Sequence, residues 1–113
     1  MPRNKYRAKP TVCIHGHKHA SKREAARCVE LHILQQTGEI ADLEVEPTFH
    51  FVIDGQPLKM SNGHKAKYRP DFIYTENGQE IAEDVKGFVV RDFPLRAALF
   101  RACFPTIELR VVK

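Results

Sequence analysis

Three charged residues in the middle of the chain have the types and spacing of a divalent-metal site. Asp71 lies in a stretch rich in aromatic and β-branched residues, and Asp84 and Lys86 follow in the next such stretch. Asn77-Gly78 stands between the two stretches and is the strongest short-range signal for a β-hairpin with a two-residue turn. If these two residues are the centre of the turn, the numbers of opposing residues sum to 155, so Asp71 faces Asp84.

Two opposed carboxylates repel each other unless a cation lies between them. Directly opposed side chains share one face of a sheet with Cβ atoms roughly 4.5–5.5 Å apart, and like charges so placed are destabilising. Lys86 is predicted on the face of Asp84, because side chains of a strand alternate with a period of two. The pattern therefore indicates two acids and one lysine around a hard divalent ion. The alternative is a surface ion pair between Asp71 and Lys86, worth at most about 1 kcal/mol, with Asp84 in solvent.

These residues and several longer phrases resemble a known nuclease family. Pro70-Asp71, followed by Asp84-Val85-Lys86, matches the PD-(D/E)XK signature of Mg²⁺-dependent nucleases. The surrounding sequence is similar to that of small phage-encoded members of this nuclease family, and the resemblance extends from about Ser21 to Lys113. It is carried by the phrases SKREAARCVEL, GEIADLEVEPTF, YRPDF, EDVKG and LRAALFRACFP. The resemblance implies an α/β fold with a restriction-endonuclease-like core, in which helices flank a central mixed β-sheet in the order α-β-β-β-α-β.

The same resemblance implies a role for each residue of the constellation. Asp71, Asp84 and the backbone carbonyl of Val85 would bind Mg²⁺, with Mn²⁺ as a substitute. Lys86 would stabilise the attacking hydroxide at the scissile phosphate, and Glu24 would position a water or complete a second metal site. The expected catalytic residues are thus Glu24, Asp71, Asp84 and Lys86. The implied activity is that of a DNA endonuclease that hydrolyses phosphodiester bonds in phage replication, recombination or packaging. Similar small phage nucleases also raise the expectation of structure selectivity for branched or Holliday-junction DNA.

The first helix is expected to place Glu24 near this site. Ser21 and Glu24 have the S-x-x-E spacing of a capping box, and Gly38 supplies a C-terminal stop. Cys28 and Leu31 continue an apolar stripe that begins at Glu24. Glu24 therefore caps the helix, points inward as an acid of the site, or does both.

The remaining elements follow from the apolar periodicity. Residues 43–53 alternate over one long half-buried strand, interrupted or bulged at Pro47, and residues 107–111 alternate in a closing strand. Asp92 is expected to cap a second helix, with Pro94 in its first turn. The buried stripe predicted for that helix consists of Leu95, Ala98, Leu99 and Ala102.

The distribution of charge favours DNA as a partner. The formal net charge is +4, and seven cations precede the first acidic residue, Glu24. Residues 1–10 are predicted to be a flexible basic arm that lies along phosphates, or else a solubilising tail, and residues 11–113 a single nuclease domain. The expected DNA contacts are the cations Arg3, Lys5, Arg7, Lys9, Lys18, Lys22, Arg23, Lys65, Lys67, Arg69 and Arg96.

Composition limits the remaining classes of protein. A chain of 113 residues supports a single domain, and no apolar run reaches the ~18 residues of a membrane span. No apolar segment follows the basic N-terminus, which argues against a signal peptide. Three scattered cysteines argue against a disulfide framework and for a reducing compartment. Together with the resemblance to phage-encoded nucleases, this implies the cytoplasm of a bacterial host cell. We expect no small organic cofactor, and we expect a homodimer, because one active site addresses one phosphate.

Two other functions stay open at this point. The first is a DNA-binding or assembly protein that has a nuclease-like fold without catalysis. The second is a zinc-dependent regulator that uses Cys13, His15, His17 and His19 in a short hairpin with Gly16 at its bend. The zinc interpretation is weaker, because no second pair of residues has the usual ligand spacing.

Overall fold

The computed structural model describes residues 11–12, 16, 18–19, 21–85 and 92–112. In chain order its elements are β1 (Thr11–Val12), β2 (Lys18–His19), α1 (Lys22–Gln36), β3 (Ala41–Val45), β4 (Phe49–His50), β5 (Val52–Ile53), β6 (Gln56–Pro57), β7 (Lys67–Tyr68), β8 (Phe72–Glu76), β9 (Gln79–Val85), α2 (Phe93–Cys103) and β10 (Glu108–Val112). Neither helix has the length and apolar character that crossing a membrane requires.

A four-stranded mixed sheet organises the fold. Its strand order is β10-β9-β8-β3, with β3, β8 and β9 antiparallel and β10 parallel to β9. Parallel neighbours need a long crossover connection, and α2 lies in that connection. The helices and strands of this layer therefore follow the order α-β-β-β-α-β, and the predicted mixed α/β class is confirmed.

The hairpin of β8 and β9 has the predicted register. Asn77 and Gly78 have φ angles of 51° and 78°, the positive values that a type I′ turn requires at both central positions. The paired residues include Phe72 with Glu83, Tyr74 with Ile81 and Ile73 with Ala82, each pair summing to 155. A slip of one residue would move every side chain to the other face, so this turn fixes which residues face which helix.

The two helices contribute to separate apolar clusters on the two faces of the sheet. Ile81 and Ala82 are neighbours in β9 and therefore point to opposite faces. Ile81 packs in one cluster with Cys28 and Leu31 of α1, whereas Ala82 packs in another with Phe100 of α2. The sheet is thus flanked by helices, as predicted.

The caps of the two helices differ. Ser21 is the N-cap of α1, and its Oγ accepts the backbone N–H of Glu24 at 3.2 Å, as the capping box predicts. Gly38, with φ of 84°, follows the C-terminal end. The prediction that Asp92 caps α2 through its side chain is wrong in this detail. Asp92 stands at the N-cap position without a side-chain capping bond, and its carboxylate instead pairs with Arg96 at 3.0 Å.

The predicted buried stripe of α2 is also wrong. Phe93, Ala97 and Phe100 are buried, whereas Leu95 is 66% exposed. Both sets of residues have helical spacing, so periodicity alone does not choose between them. The stripe with two phenylalanines removes more apolar surface from water and faces the sheet for that reason.

The strand predicted over residues 43–53 is divided into three. Glu46 adopts a φ of 52°, Pro47 follows, and the chain leaves the main sheet after β3. β4 then pairs with β7, and β5 pairs with β6, in two small sheets. The hairpin predicted near Gly16 is present as antiparallel β1 and β2. The predicted basic arm, residues 1–10, lies outside the described residues.

Candidate active site

Asp71 and Asp84 lie together at the end of the β8–β9 hairpin. Pro70, which has no N–H for a sheet hydrogen bond, precedes Asp71, and β8 begins one residue after Asp71. The Oδ2 atom of Asp71 accepts the backbone N–H of Val85 in β9 at 2.7 Å. Asp84 is buried, Asp71 is partly buried, and their side chains share a hydrogen bond. The structure thus brings the two predicted acids into contact.

The surroundings of Asp71 favour its protonated form. Burial, followed by the charges of Asp84 and Glu24, raises the pKa of Asp71 to about 9, although the bond from Val85 acts in the opposite direction. A carboxylate among other carboxylates needs a proton or a cation to offset the repulsion. At neutral pH the chain by itself satisfies this need with a proton on Asp71.

Glu24 faces the same acidic region from the first turn of α1. Its side chain is buried, and its charge acts on Asp71, so the inward orientation predicted from the apolar stripe is observed. The Nδ1 atom of His19 donates to Oε1 of Glu24 at 3.0 Å. His19 is itself buried in β2, with its ring 6.0 Å from that of Phe72. The N-terminal hairpin thus contacts the acid group through His19, a contact that the sequence analysis missed.

Tyr68 contacts Asp84 from the other side of the acid pair. Its hydroxyl donates to Oδ2 of Asp84, and the whole side chain is buried. No sequence spacing predicts this bond, because Tyr68 lies 16 residues before Asp84, in a strand outside the main sheet.

Glu83, next to Asp84, is held in a separate buried ion pair. Arg27 of α1 donates to both of its oxygens, from Nε at 2.6 Å and from Nη2 at 2.9 Å, and the hydroxyl of Tyr74 donates at 2.6 Å. The hydrogen bonds and the negative charge of Glu83 raise the pKa of Arg27 above its ordinary value. The pair ties the helix that carries Glu24 to the strand that carries Asp84. A buried carboxylate needs a partner that offsets the cost of burying its charge. No sequence pattern identifies Arg27 as the partner of Glu83.

A basic cleft opens onto Asp84. Its volume is about 740 Å³, and Tyr68 and Asp84 are among the residues that line it. Its other polar lining residues, apart from Asp92, are cationic or imidazole side chains: His50, His64, Lys65, Lys67, Arg69 and Arg96. Four cations of the predicted DNA-contact set are thus grouped beside the acid pair.

Arg96 has structural contacts within this cleft. Its Nε donates to Asp92 at 3.0 Å, and its Nη1 donates to the backbone carbonyl of Lys67. These bonds join the start of α2 to β7. By contrast, the side chains of Lys65, Lys67 and Arg69 are exposed and point toward solvent.

The remaining predicted site residues fall into two groups. Lys22 and Arg23 are exposed on the first turn of α1. Lys86, Arg3, Lys5, Arg7, Lys9 and the side chain of Lys18 lie outside the described residues, as do Cys13, His15 and His17 of the zinc alternative.

The described residues contain no group of three or more histidine, cysteine, aspartate or glutamate side chains arranged to hold a metal ion. Mg²⁺ does not need such a group, because it keeps several waters and is commonly held by one or two carboxylates. Asp71 and Asp84 supply that number, and their oxygen atoms are the ligand type that Mg²⁺ prefers.

Comparison with known proteins assigns a family. A family model described as "Protein of unknown function (DUF1064)" matches residues 3–113. The chain belongs to the DUF1064 family. No curated protein and no solved structure matches the chain significantly. The family match spans both the acid pair and the residues that line the cleft, but the family description assigns no activity to them.

Proposed function

We propose that this DUF1064 protein is a Mg²⁺-dependent endonuclease that hydrolyses phosphodiester bonds of DNA. The observation that carries the proposal is the meeting of Asp71 and Asp84 beside a cleft lined by four cations. Buried acids in contact are unfavourable for folding, and such groups cluster at functional sites. A nearby basic surface suits a polyanion whose backbone must approach the acids.

The fold agrees with this activity at the level of element order. The sheet β3-β8-β9-β10 with α1 and α2 follows the order expected of a restriction-endonuclease-like core. Asp71 immediately precedes β8 and Asp84 lies in the adjacent strand β9, so one hairpin carries both acids of the PD-(D/E)XK motif. We therefore extend the proposal to the fold and assign this chain to the restriction-endonuclease-like class.

The acid pair fits a magnesium ion chemically. Burial and the charges of Asp84 and Glu24 favour a proton on Asp71, and a divalent cation between the two carboxylates would offset the same repulsion. Asp71, Asp84 and the carbonyl of Val85 would hold the ion, and Mn²⁺ would substitute for it. When bound, the ion lowers the pKa of a coordinated water and polarises a phosphoryl oxygen.

The chain's own residues supply the other requirements of hydrolysis. Lys65 and Lys67 would hold the DNA backbone in the cleft through its phosphates. Glu24, oriented by His19, would position the attacking water. Lys86 would act beside Asp84 and stabilise the developing charge at the scissile phosphate.

A cleavage assay with matched variants tests this function. We would incubate supercoiled plasmid, linear duplex, fork, flap and four-way junction DNA with the protein and Mg²⁺ or Mn²⁺. Asp84→Asn and Lys86→Ala should each lower the cleavage rate on the order of 100-fold or more, since they remove several kcal/mol of transition-state stabilisation. Glu80→Gln is the matched control, because Glu80 is an exposed carboxylate of the same strand. It should retain the wild-type rate.

Two results would contradict the proposal. Equal cleavage by the wild type and both site variants would identify a contaminating nuclease. Tight DNA binding by the wild type, with no cleavage in either metal, would favour the non-catalytic DNA-binding alternative. Fluorescence anisotropy in EDTA measures that binding separately from cleavage.

A further inference from the structure

Tyr68 joins the basic cleft to the acid pair. In β7 and just after it, Lys67 and Arg69 are exposed, whereas Tyr68 between them is buried. This alternation directs the two cations toward solvent and the phenol ring inward. The ring ends at Asp84, where its hydroxyl donates to Oδ2. One short segment therefore carries two exposed cations of the cleft and a direct contact to an acid of the proposed site.

Packing holds the ring of Tyr68 in one place. Its centroid lies 5.5 Å from the ring of Phe100 in an edge-on arrangement and 6.3 Å from the ring of Phe93. Backbone pairing with Phe49 fixes β7 as well. A side chain fixed by packing aims its hydroxyl in a single direction, which is the requirement for orienting another group.

The hydroxyl is placed as a hydrogen-bond donor to Asp84. A phenol beside a carboxylate can donate its proton in a hydrogen bond, and the carboxylate can only accept when it is ionised. One oxygen of Asp84, Oδ2, is thus held by a donor that ring packing keeps in place.

We propose that Tyr68 is a positioning residue for Asp84: its buried hydroxyl fixes the rotation of that carboxylate beside Asp71, in the orientation that a divalent ion held by the pair would need. The inference rests on the proposed nuclease function and extends it to a residue outside the motif Pro70-Asp71…Asp84-Val85-Lys86. Partners that orient metal ligands typically change metal affinity or activity by about 10–100-fold when they are removed.

The test compares two variants that undergo the same chemical change. Tyr68→Phe keeps the ring and its packing and removes only the hydroxyl that contacts Asp84. Tyr74→Phe removes the hydroxyl of another buried tyrosine. That hydroxyl donates to Glu83, the neighbouring carboxylate, which also has Arg27 as a partner, and it accepts from Arg110 at 3.5 Å. Both variants lose one hydrogen bond to a buried acid, so a general loss of stability affects both.

Calorimetric titration of the DNA-free protein with Mn²⁺ gives a readout that does not depend on activity. We expect Tyr68→Phe to weaken Mn²⁺ binding about 10–100-fold and to lower kcat by a similar factor, with the KM for DNA unchanged. Tyr74→Phe should bind Mn²⁺ and cleave DNA at wild-type levels within about threefold, since its target carboxylate retains the Arg27 pair.

The outcomes separate this inference from the function on which it rests. If the wild type binds Mn²⁺ and cleaves DNA but Tyr68→Phe does so equally well, the positioning role is overturned and the nuclease function stands. Equal losses in Tyr68→Phe and Tyr74→Phe would assign the effect to stability and also overturn the role. A wild type that neither binds Mn²⁺ nor cleaves DNA would overturn both proposals.

Discussion

Replacing Asp71 with asparagine should stabilise the metal-free protein at neutral and alkaline pH. Asparagine has the shape of a protonated aspartate, and its oxygen can still accept the N–H of Val85. Its NH₂ group can donate to Asp84 as the protonated Asp71 does. The variant therefore keeps the local hydrogen bonds without the need to take up a proton on folding.

The size of the effect follows from the pKa of Asp71. Folding raises this pKa from 3.8 to about 9, so the folded chain binds a proton that the unfolded chain has released between these pH values. The resulting stability is fully present below about pH 4 and is lost as the pH rises through 9, at about 1.4 kcal/mol per pH unit. By pH 7 the loss would reach about 4 kcal/mol, and relaxation around a buried pair reduces it to roughly 2–4 kcal/mol.

Thermal unfolding in EDTA between pH 5 and pH 9 measures this difference. Asp71→Asn should raise Tm by about 10 °C at pH 8, because 1 kcal/mol corresponds to about 4 °C for a domain of this size, and by much less at pH 5. Glu80→Gln, which removes an exposed carboxylate, should shift Tm little at either pH. A Tm for Asp71→Asn that stays below the wild-type value at every pH, or that differs from it equally at pH 5 and pH 9, would refute the reasoning.

Two further predictions concern the ion pair and the cleft. Arg27→Ala leaves Glu83 as a buried charge without its guanidinium and should lower the free energy of unfolding by about 3–5 kcal/mol in urea, whereas Arg23→Ala, on the exposed side of α1, should change it by less than about 0.5 kcal/mol. Equal urea midpoints would show that the pair contributes nothing. Lys67→Ala should reduce the slope of log affinity against log salt by about 1 for DNA of any sequence, because one phosphate contact is lost. The exposed Lys59, outside the cleft lining, is the matched control, and an unchanged slope for Lys67→Ala would exclude a phosphate contact there.

Local chemistry made part of the fold predictable. The Asn77-Gly78 turn specifies its own φ angles, and the turn then determines the register, so the placement of Asp71 beside Asp84 could be deduced from the sequence. The Ser21 cap is local in the same sense, since its partner is three residues away. Both features depend on residues that are neighbours in the chain, and a sequence shows such neighbours directly.

The errors have a different physical origin. The sequence of α2 carries two apolar stripes with helical spacing, and the choice between Leu95 and Phe93 depends on the surface that the sheet presents to the helix. The strand of residues 43–53 ends early because Glu46 adopts a positive φ, and its later part pairs with β7 and β6 in small sheets. These outcomes depend on tertiary packing, which overrides local pattern.

The partners of the acids were missed for a related reason. His19 and Tyr68 reach Glu24 and Asp84 from elements outside the main sheet, and Arg27 reaches Glu83 across 56 residues. No periodicity or motif connects such positions. The sequence shows which acids could take part in chemistry, but only the folded chain shows which groups orient them.

Glu83, an acid of a structural ion pair, and Asp84, an acid of the proposed site, have different surroundings. They are adjacent in β9 and both are buried, yet they face opposite sides of the sheet. On one side Glu83 is matched with the guanidinium of Arg27, which offsets the cost of burying its charge. On the other side Asp84 faces a second carboxylate, and burial together with the repulsion between the acids raises the pKa of Asp71 and favours its protonated form.

An asparagine at position 71 would remove this repulsion at no cost to the local hydrogen bonds, so stability alone does not explain the aspartate. Natural sites that sacrifice stability in this way commonly do so for function. In the proposed function, a divalent cation from solution would bind the aspartate pair next to the basic cleft, and this would explain why both acids are kept. If Asp71→Asn proves more stable and loses Mn²⁺ binding, that exchange of stability for a metal site will have been measured directly.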